Sequence, residues 1–144
     1  MFSKKNKQQT RRLSSGGLID RSKPISFKFD GKPLMGYDGD TLASALLANN
    51  IKLIGRSFKY HRPRGIYTAG TEEPNALVAL RTNARTEPNT RATNIELFDG
   101  LEAKSQNRWP NLFLDFMQIN NLAGPFFTAG FYYKTFMGIP GWHF

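Results

Sequence analysis

The chain has 144 residues, of which 40% are hydrophobic and 13% aromatic, a composition typical of a folded domain and not of a disordered chain. Its 20 basic and 11 acidic residues give a net charge of +9. It has no cysteine, which excludes disulfides, a thiolate nucleophile and any cysteine-ligated zinc or iron–sulfur site.

Residues 1–20 are polar, basic and without hydrophobic periodicity, and we predict a flexible basic arm. Residues 1–24 hold seven basic side chains and one acidic one, Asp20, so they supply +6 of the net charge. Such a segment is either a solvated tail, which a partner can order, or a binding segment for nucleic acid or an acidic protein. The rest of the chain is only mildly basic.

The first predicted elements form a hairpin. Apolar and polar residues alternate over 25–29, which places Ile25, Phe27 and Phe29 on one face of a strand. Asp30-Gly31 supplies the positive φ angles of a tight turn, and the return strand is predicted over Lys32–Tyr37.

A short helix is predicted after the hairpin. Asp40 or Thr41 caps it, and the apolar spacing i, i+3, i+4 follows from Leu42 until the helix ends near Asn49. A hairpin with a helix across its apolar face opens a β-grasp domain, although many other α+β folds begin in this way.

Three more strands are predicted downstream, at Ile51–Ile54, Ala76–Leu80 and Ala92–Phe98, with a turn at Asp99-Gly100. We therefore predict an α+β fold of the β-grasp class, a mixed sheet with one main helix, over residues 21–106. No apolar run approaches the roughly 18 residues that span a bilayer, so we expect a cytoplasmic protein with no membrane contact.

Residues 107–144 form a predicted aromatic-rich extension. They hold 11 of the 19 aromatic residues of the chain, more apolar area than a small sheet with one helix can cover. We expect a partner, or more of the same polypeptide, to bury these side chains: Trp109, Phe113, Phe116, Phe126, Phe127, Phe131, Tyr132, Tyr133, Phe136, Trp142 and Phe144.

The sequence contains few residues in the arrangements typical of catalysis, metal binding or phosphate binding. His61 and His143 have no carboxylate or second histidine at metal-ligand spacing, and the adjacent Glu72 and Glu73 are predicted to be surface charges. Neither G-x-G-x-x-G, the motif for dinucleotides, nor G-x-x-x-x-G-K-[ST], the motif for nucleoside triphosphates, occurs in the sequence. We predict no catalytic residue and no metal site in this chain.

One loop, over residues 56–65, interleaves four fixed cations with aromatic side chains: Arg56, Lys59, Arg62 and Arg64. Pro63 and the two glycines at its ends, Gly55 and Gly65, predict an exposed loop. Such a composition suits contacts with a cofactor phosphate, and it equally suits ion pairs at an interface between domains.

A long stretch, RSFKYHRPRGIYTAGTEEPNALVAL, closely resembles the N-terminal domain of the α subunit of heterotetrameric sarcosine oxidase. The resemblance continues upstream through SFKFDGKPLMGYDGDTLASALLANN and downstream through LFDGLEAKSQNRWP and PFFTAGFYYKTFM, covering about residues 12–137. This resemblance implies a ferredoxin-like β-grasp domain.

Related domains hold a [2Fe–2S] cluster through cysteines spaced C-x4-C-x2-C, with a fourth cysteine downstream. On that spacing, the resemblance places Thr68, Glu73 and Ala76 at the first three ligand positions and Thr93 at the fourth. Neither a threonine hydroxyl nor an alanine methyl group can replace a soft thiolate ligand. We therefore predict that the cluster has been lost and that the loop is kept as scaffold.

The resemblance also implies a complex that oxidatively demethylates sarcosine with FAD, FMN, NAD and tetrahydrofolate, none of them bound by this chain alone. Its partners would be the remainder of the α subunit and the other subunits. We expect the chain to be a fragment, a truncated product or a split subunit that stops before the dinucleotide-binding part. The net charge of +9 suggests an alternative function, that of a small basic nucleic-acid-binding protein.

Overall fold

The computed structural model describes residues 9–82 and 84–122, within which the chain forms one mixed sheet, a two-stranded ribbon and two short helices. The elements are β1 Asp20–Phe29, β2 Lys32–Asp38, α1 Leu42–Ala48, β3 Gly55–Arg56, β4 Pro63–Arg64, β5 Leu77–Thr82, β6 Arg85–Arg91, β7 Glu102–Ser105 and the 3₁₀ helix Phe116–Asn121. The sheet order is β2-β1-β7-β5-β6, with β7 parallel to β1 and the other neighbours antiparallel. This confirms the predicted α+β sheet with one main helix.

The hairpin of β1 and β2 forms as predicted. Asp30 and Gly31 adopt φ angles of 50° and 78°, the left-handed region that a tight turn between antiparallel strands requires. Phe27 and Phe29 are almost fully buried, because the alternating side chains of β1 face the core. The strand begins earlier than predicted, at Asp20.

The helix α1 is capped by Thr41, one of the two predicted caps. The Thr41 hydroxyl accepts a hydrogen bond from the Ser44 N–H at 3.2 Å, and the Ser44 hydroxyl accepts one from the Thr41 N–H at 3.0 Å. Leu42 and Leu46 are fully buried against the sheet. The predicted apolar stripe of the helix is therefore part of the core.

Two of the strand predictions are wrong. Residues 51–54 form no strand, and the pairing begins one residue later, where β3 meets β4. Residues 92–98 are turns and irregular backbone with one isolated bridge at Glu96, and three of their side chains, Ala92, Ile95 and Leu97, pack into the core. The N–H of Leu42 donates to the Ile95 carbonyl. The third, Ala76–Leu80, is confirmed by β5.

The strands β6 and β7 were not predicted, for a physical reason. The edge strand β6 has the sequence RTEPNTR, in which no residue other than Pro88 is apolar, and every residue but one is exposed. It therefore has no alternation of apolar and polar residues. In β7 only Ala103 and Ser105 face inward, and both are small. Neither strand carries the apolar pattern on which the prediction depends.

The predicted boundaries at residues 20 and 106 stay predictions, and much of the aromatic extension lies outside the described residues. The described part of that extension is joined to the sheet domain, since Leu112 and Asp115 are both buried. Within residues 9–82 and 84–122, no helix has both the length and the apolar character that a membrane crossing requires.

Candidate functional site

The loop that carries three of the predicted ligand positions closes around the carboxylate of Glu73. This side chain is completely buried. One oxygen, Oε2, accepts hydrogen bonds from the backbone N–H of Tyr67 at 2.8 Å and of Thr68 at 2.5 Å. The other, Oε1, accepts from the N–H of Asn75 at 2.8 Å and of Ala76 at 3.1 Å. Four backbone amides therefore converge on one carboxylate.

These amides keep Glu73 ionised. Burial by itself raises the pKa of the carboxyl group, but the hydrogen bonds from Thr68, Asn75, Tyr67 and Ala76 outweigh it and lower the pKa to about 2. The prediction of surface charge holds for Glu72, which is exposed, and is wrong for Glu73. The resemblance to cluster-binding domains is what places this residue at a ligand position.

The fourth predicted ligand position meets the same loop. The hydroxyl of Thr93 donates to the carbonyl of Gly70 at 2.8 Å, and the Arg91 Nε donates to the main-chain carbonyl of Glu73 at 3.0 Å. The structure thus brings the fourth predicted position, Thr93, into hydrogen-bond contact with the loop that holds the other three.

Their chemistry does not fit an iron–sulfur cluster. Two hydroxyls, a carboxylate and a methyl group stand at these positions, whereas such clusters are held by thiolates. No group of three or more potential metal ligands (histidine, aspartate or glutamate) occurs elsewhere in the described ranges 9–82 and 84–122 either.

The first residue of the basic loop points inward, so the prediction of an exposed loop is wrong for Arg56. Only 6% of this residue is exposed. Its guanidinium donates to the carbonyl of Leu112 at 2.9 Å and to that of His61 at 2.8 Å. Arg56 therefore ties the loop to the segment that follows the sheet.

His61 is buried as well, against a carboxylate that lies 54 residues away in sequence, so no local spacing predicts the pair. Its Nδ1 lies 2.7 Å from Oδ2 of Asp115, and the Arg56 Nε lies 3.5 Å from the same oxygen. The other oxygen of Asp115 accepts from the N–H of Trp109 at 3.0 Å and of Met117 at 3.2 Å. Asp115 is thus the centre of a buried polar network.

The other three cations of the loop do not converge on one point. Arg62 stacks over the ring of Tyr60 at 4.6 Å, and Lys59 lies over the same ring at 4.9 Å. Arg64 donates to the side chain of Asn75. Arg56 and Arg64 share the lining of a cavity of about 220 Å³, which is smaller than the roughly 300–1,000 Å³ of typical ligand sites.

The Asp115 network supports a set of exposed apolar side chains. Trp109 packs edge-on against Phe116, with ring centroids 5.5 Å apart, yet both remain more than half exposed. We call the following side chains the C-terminal apolar surface: Trp109, Phe113, Leu114, Phe116, Met117, Ile119 and Leu122. Exposure of so much apolar area in so short a segment indicates an interaction surface.

Comparison with known proteins agrees with this structure. Residues 22–108 match the family described as "2Fe-2S iron-sulfur cluster binding domain". The sarcosine oxidase subunit alpha of Rhizobium meliloti (strain 1021) is 65% identical over 126 residues, which cover 88% of this chain and 13% of the relative. That of Corynebacterium sp. (strain U-96) is 40% identical over 93 residues, which cover 62% of this chain and 10% of the relative.

Among solved structures, L-proline dehydrogenase from P. horikoshii covers 62% of this chain and 17% of its own chain at 30% identity, with a TM-score of 0.49. That likeness is too weak to assign a function. The nucleic-acid alternative finds no support among the relatives. The chain spans only about an eighth of the Rhizobium relative, and it belongs to the 2Fe-2S iron–sulfur cluster binding domain family, with sarcosine oxidase α subunits as its relatives.

Proposed function

We propose that this chain is a non-catalytic structural and docking domain of a sarcosine oxidase α subunit. The whole enzyme would be a cytoplasmic flavoenzyme complex that oxidatively demethylates sarcosine. FAD, FMN, NAD and tetrahydrofolate would belong to that complex, with none held by this chain alone. The observation that carries the proposal is the C-terminal apolar surface, fixed in place by the buried Asp115 network.

The occupant of this surface is the remainder of the same α subunit. Because this chain spans 13% of the Rhizobium relative, most of such a subunit lies outside the matched segment and is available to cover it. Phe113 is 78% exposed and Leu122 80% exposed, areas that are costly to leave in water. Docking against the next part of the subunit removes that cost.

The loop cations supply the polar rim of the same contact. Arg62 donates to the side chain of Asn121 at 3.2 Å, within the 3₁₀ helix that carries part of the apolar surface. Interfaces combine an apolar centre with arginine-rich margins. Lys59 and Arg62 are therefore proposed as interface contacts, and Arg64 as a contact to a phosphate or an acidic side chain.

Co-purification tests this function. The tagged chain is co-expressed with the remainder of the Rhizobium α subunit and the other subunits of that enzyme, and the recovered complex is quantified by size-exclusion chromatography. We expect the native chain to co-purify, and the double variant Phe113→Ser, Ile119→Ser to lose at least about tenfold in recovery, since truncation of a hot-spot residue costs about 2 kcal/mol or more of binding free energy.

The matched control is Leu18→Ser, because Leu18 is fully exposed and lies outside the C-terminal apolar surface. This variant should co-purify like the native chain. Failure of the native chain to co-purify, or full recovery with the double variant, contradicts the docking role.

A further inference from the structure

We propose that the Glu73 carboxylate takes the structural place of the lost iron–sulfur cluster, as the anion around which the loop of residues 67–76 folds. The domain thereby keeps the shape of a cluster-binding domain without needing a metal. This inference is independent of the docking function, because it concerns how the chain folds rather than what it contacts.

The position of Glu73 is the first support. It stands at the second of the three closely spaced ligand positions, and the residues at the other two are Thr68 and Ala76. The backbone N–H groups of both donate to its carboxylate, at 2.5 and 3.1 Å. The three positions are thus linked through one anion, as three ligands are linked through one cluster.

The donors are the second support. Iron–sulfur clusters accept hydrogen bonds from their surroundings on sulfur, and successive backbone N–H groups form concave sites that favour an anion. Here four backbone N–H groups and, at 3.3 Å, the Thr68 hydroxyl point at the carboxylate of Glu73. Without an anion at this point, these donors, most of them partly buried and that of Ala76 buried, would lose their shared acceptor, which destabilises a fold.

The outer contacts are the third support. Thr93, at the fourth ligand position, donates to the carbonyl of Gly70, and Arg91 donates to the carbonyl of Glu73 itself. Both hydrogen bonds come from residues outside the loop and hold its main chain, and they thereby help to fix the position of the Glu73 side chain. A carboxylate on a three-bond stem reaches the converging amides from this position.

The first test compares Glu73→Gln with Glu72→Gln in the 144-residue chain. Both changes remove one carboxylate charge at nearly constant shape, but Glu72 is exposed. Hydrogen exchange of the Thr68, Asn75 and Ala76 amides is followed by NMR. We expect exchange to be about 10–100-fold faster in Glu73→Gln, the loss that follows when hydrogen bonds to a charged group are weakened, and unchanged within about twofold in Glu72→Gln.

Equal protection of these amides in the two variants would overturn the proposal.

A second measurement needs no variant and tests the proposal if Glu73→Gln does not fold. The side-chain carboxyl carbon of Glu73 is titrated by NMR in the native chain, and we expect it to stay ionised down to a pH of about 2. A midpoint near 4.5 or above would show that the amides do not hold an anion, which refutes the inference.

Discussion

At the scale of single residues, two of the buried carboxylates, Glu73 and Asp115, are stabilised in different ways. Glu73 is bonded by nearby backbone N–H groups, so its partners come from its own loop. Asp115 depends on side chains from a distant strand and loop, Arg56 and His61, as well as on two local amides. The first arrangement shapes a loop, and the second joins two segments that lie 54 residues apart in sequence.

Replacement of Asp115 by Asn should lower the free energy of unfolding by about 2–3 kcal/mol, because hydrogen bonds to a charged group are weakened while Arg56 stays buried. Asp38→Asn is the control, since the Asp38 side chain is 46% exposed and pairs with Lys23 at the surface. Urea denaturation at pH 7 measures the free energy of unfolding of both variants. An equal loss in the two variants would contradict the role of the Asp115 network.

The same residue predicts a dependence on pH. Burial raises the pKa of Asp115, but the hydrogen bond from His61 and the amides of Trp109 and Met117 lower it below its ordinary value of 3.8. Since the folded pKa is the lower one, the stabilisation is present above pH 3.8 and is lost as the pH falls through the folded pKa. The free energy of unfolding of Asp115→Asn should therefore fall less steeply with decreasing pH than that of the native chain.

At the scale of elements, the contact between β2 and α1 depends on a glycine. A Cβ atom at Gly36 would lie 2.3 Å from Cδ2 of Leu97 and 3.2 Å from the Cβ of Ala45. Both neighbours are buried, so neither can move without disturbing the core. The absence of a side chain at Gly36 allows the helix to pack closely on the strand.

Gly36→Ala should therefore destabilise the domain by about 1–3 kcal/mol, the usual cost of overpacking a core. Gly55→Ala is the matched control, because a Cβ at Gly55 would meet its nearest atom, the Leu77 carbonyl oxygen, at an ordinary contact distance of 3.4 Å. Thermal unfolding followed by circular dichroism compares the two. A smaller loss for Gly36→Ala than for Gly55→Ala would mean that the packing argument fails.

At the scale of the whole molecule, the described N-terminal residues are fastened to the domain. Arg12 donates to both carboxylate oxygens of Asp40, at 3.1 and 2.6 Å, and its guanidinium lies over the ring of Tyr37. The backbone N–H of Arg11 donates to the Ala48 carbonyl, at the end of the helix. The flexibility predicted for residues 1–20 stays a prediction, because residues 1–8 lie outside the described ranges.

Arg12→Gln should destabilise the chain by about 3 kcal/mol, because Asp40 is 1% exposed and would lose the cation that compensates its charge. It should also make the chain more susceptible to limited proteolysis between residues 9 and 19. Arg11→Gln is the control, since the Arg11 side chain bonds to Asn50 at the surface. Equal proteolysis rates in the two variants would show that the Arg12–Asp40 pair does not hold this segment.

Local patterns predicted those elements that have a strong local signal. The alternation over residues 25–29, the Asp30-Gly31 turn and the apolar spacing after Thr41 each reflect short-range geometry, and each is confirmed. The strands β6 and β7 have no such signal, and Ala92, Ile95 and Leu97 pack into the core from a segment that forms no strand. In these places the sheet, not the local sequence, decides the conformation.

The sequence by itself determined that no thiolate cluster can form here, since that follows from the absence of cysteine alone. The resemblance to cluster-binding domains also singled out Thr68, Glu73 and Ala76 through the spacing of the family's ligands, and Thr93 as the fourth position. Only the tertiary structure decided that Glu73 is a buried anion held by four amides. The reason is physical: the direction of a backbone N–H depends on the path of the chain, and the sequence alone does not show where such donors converge.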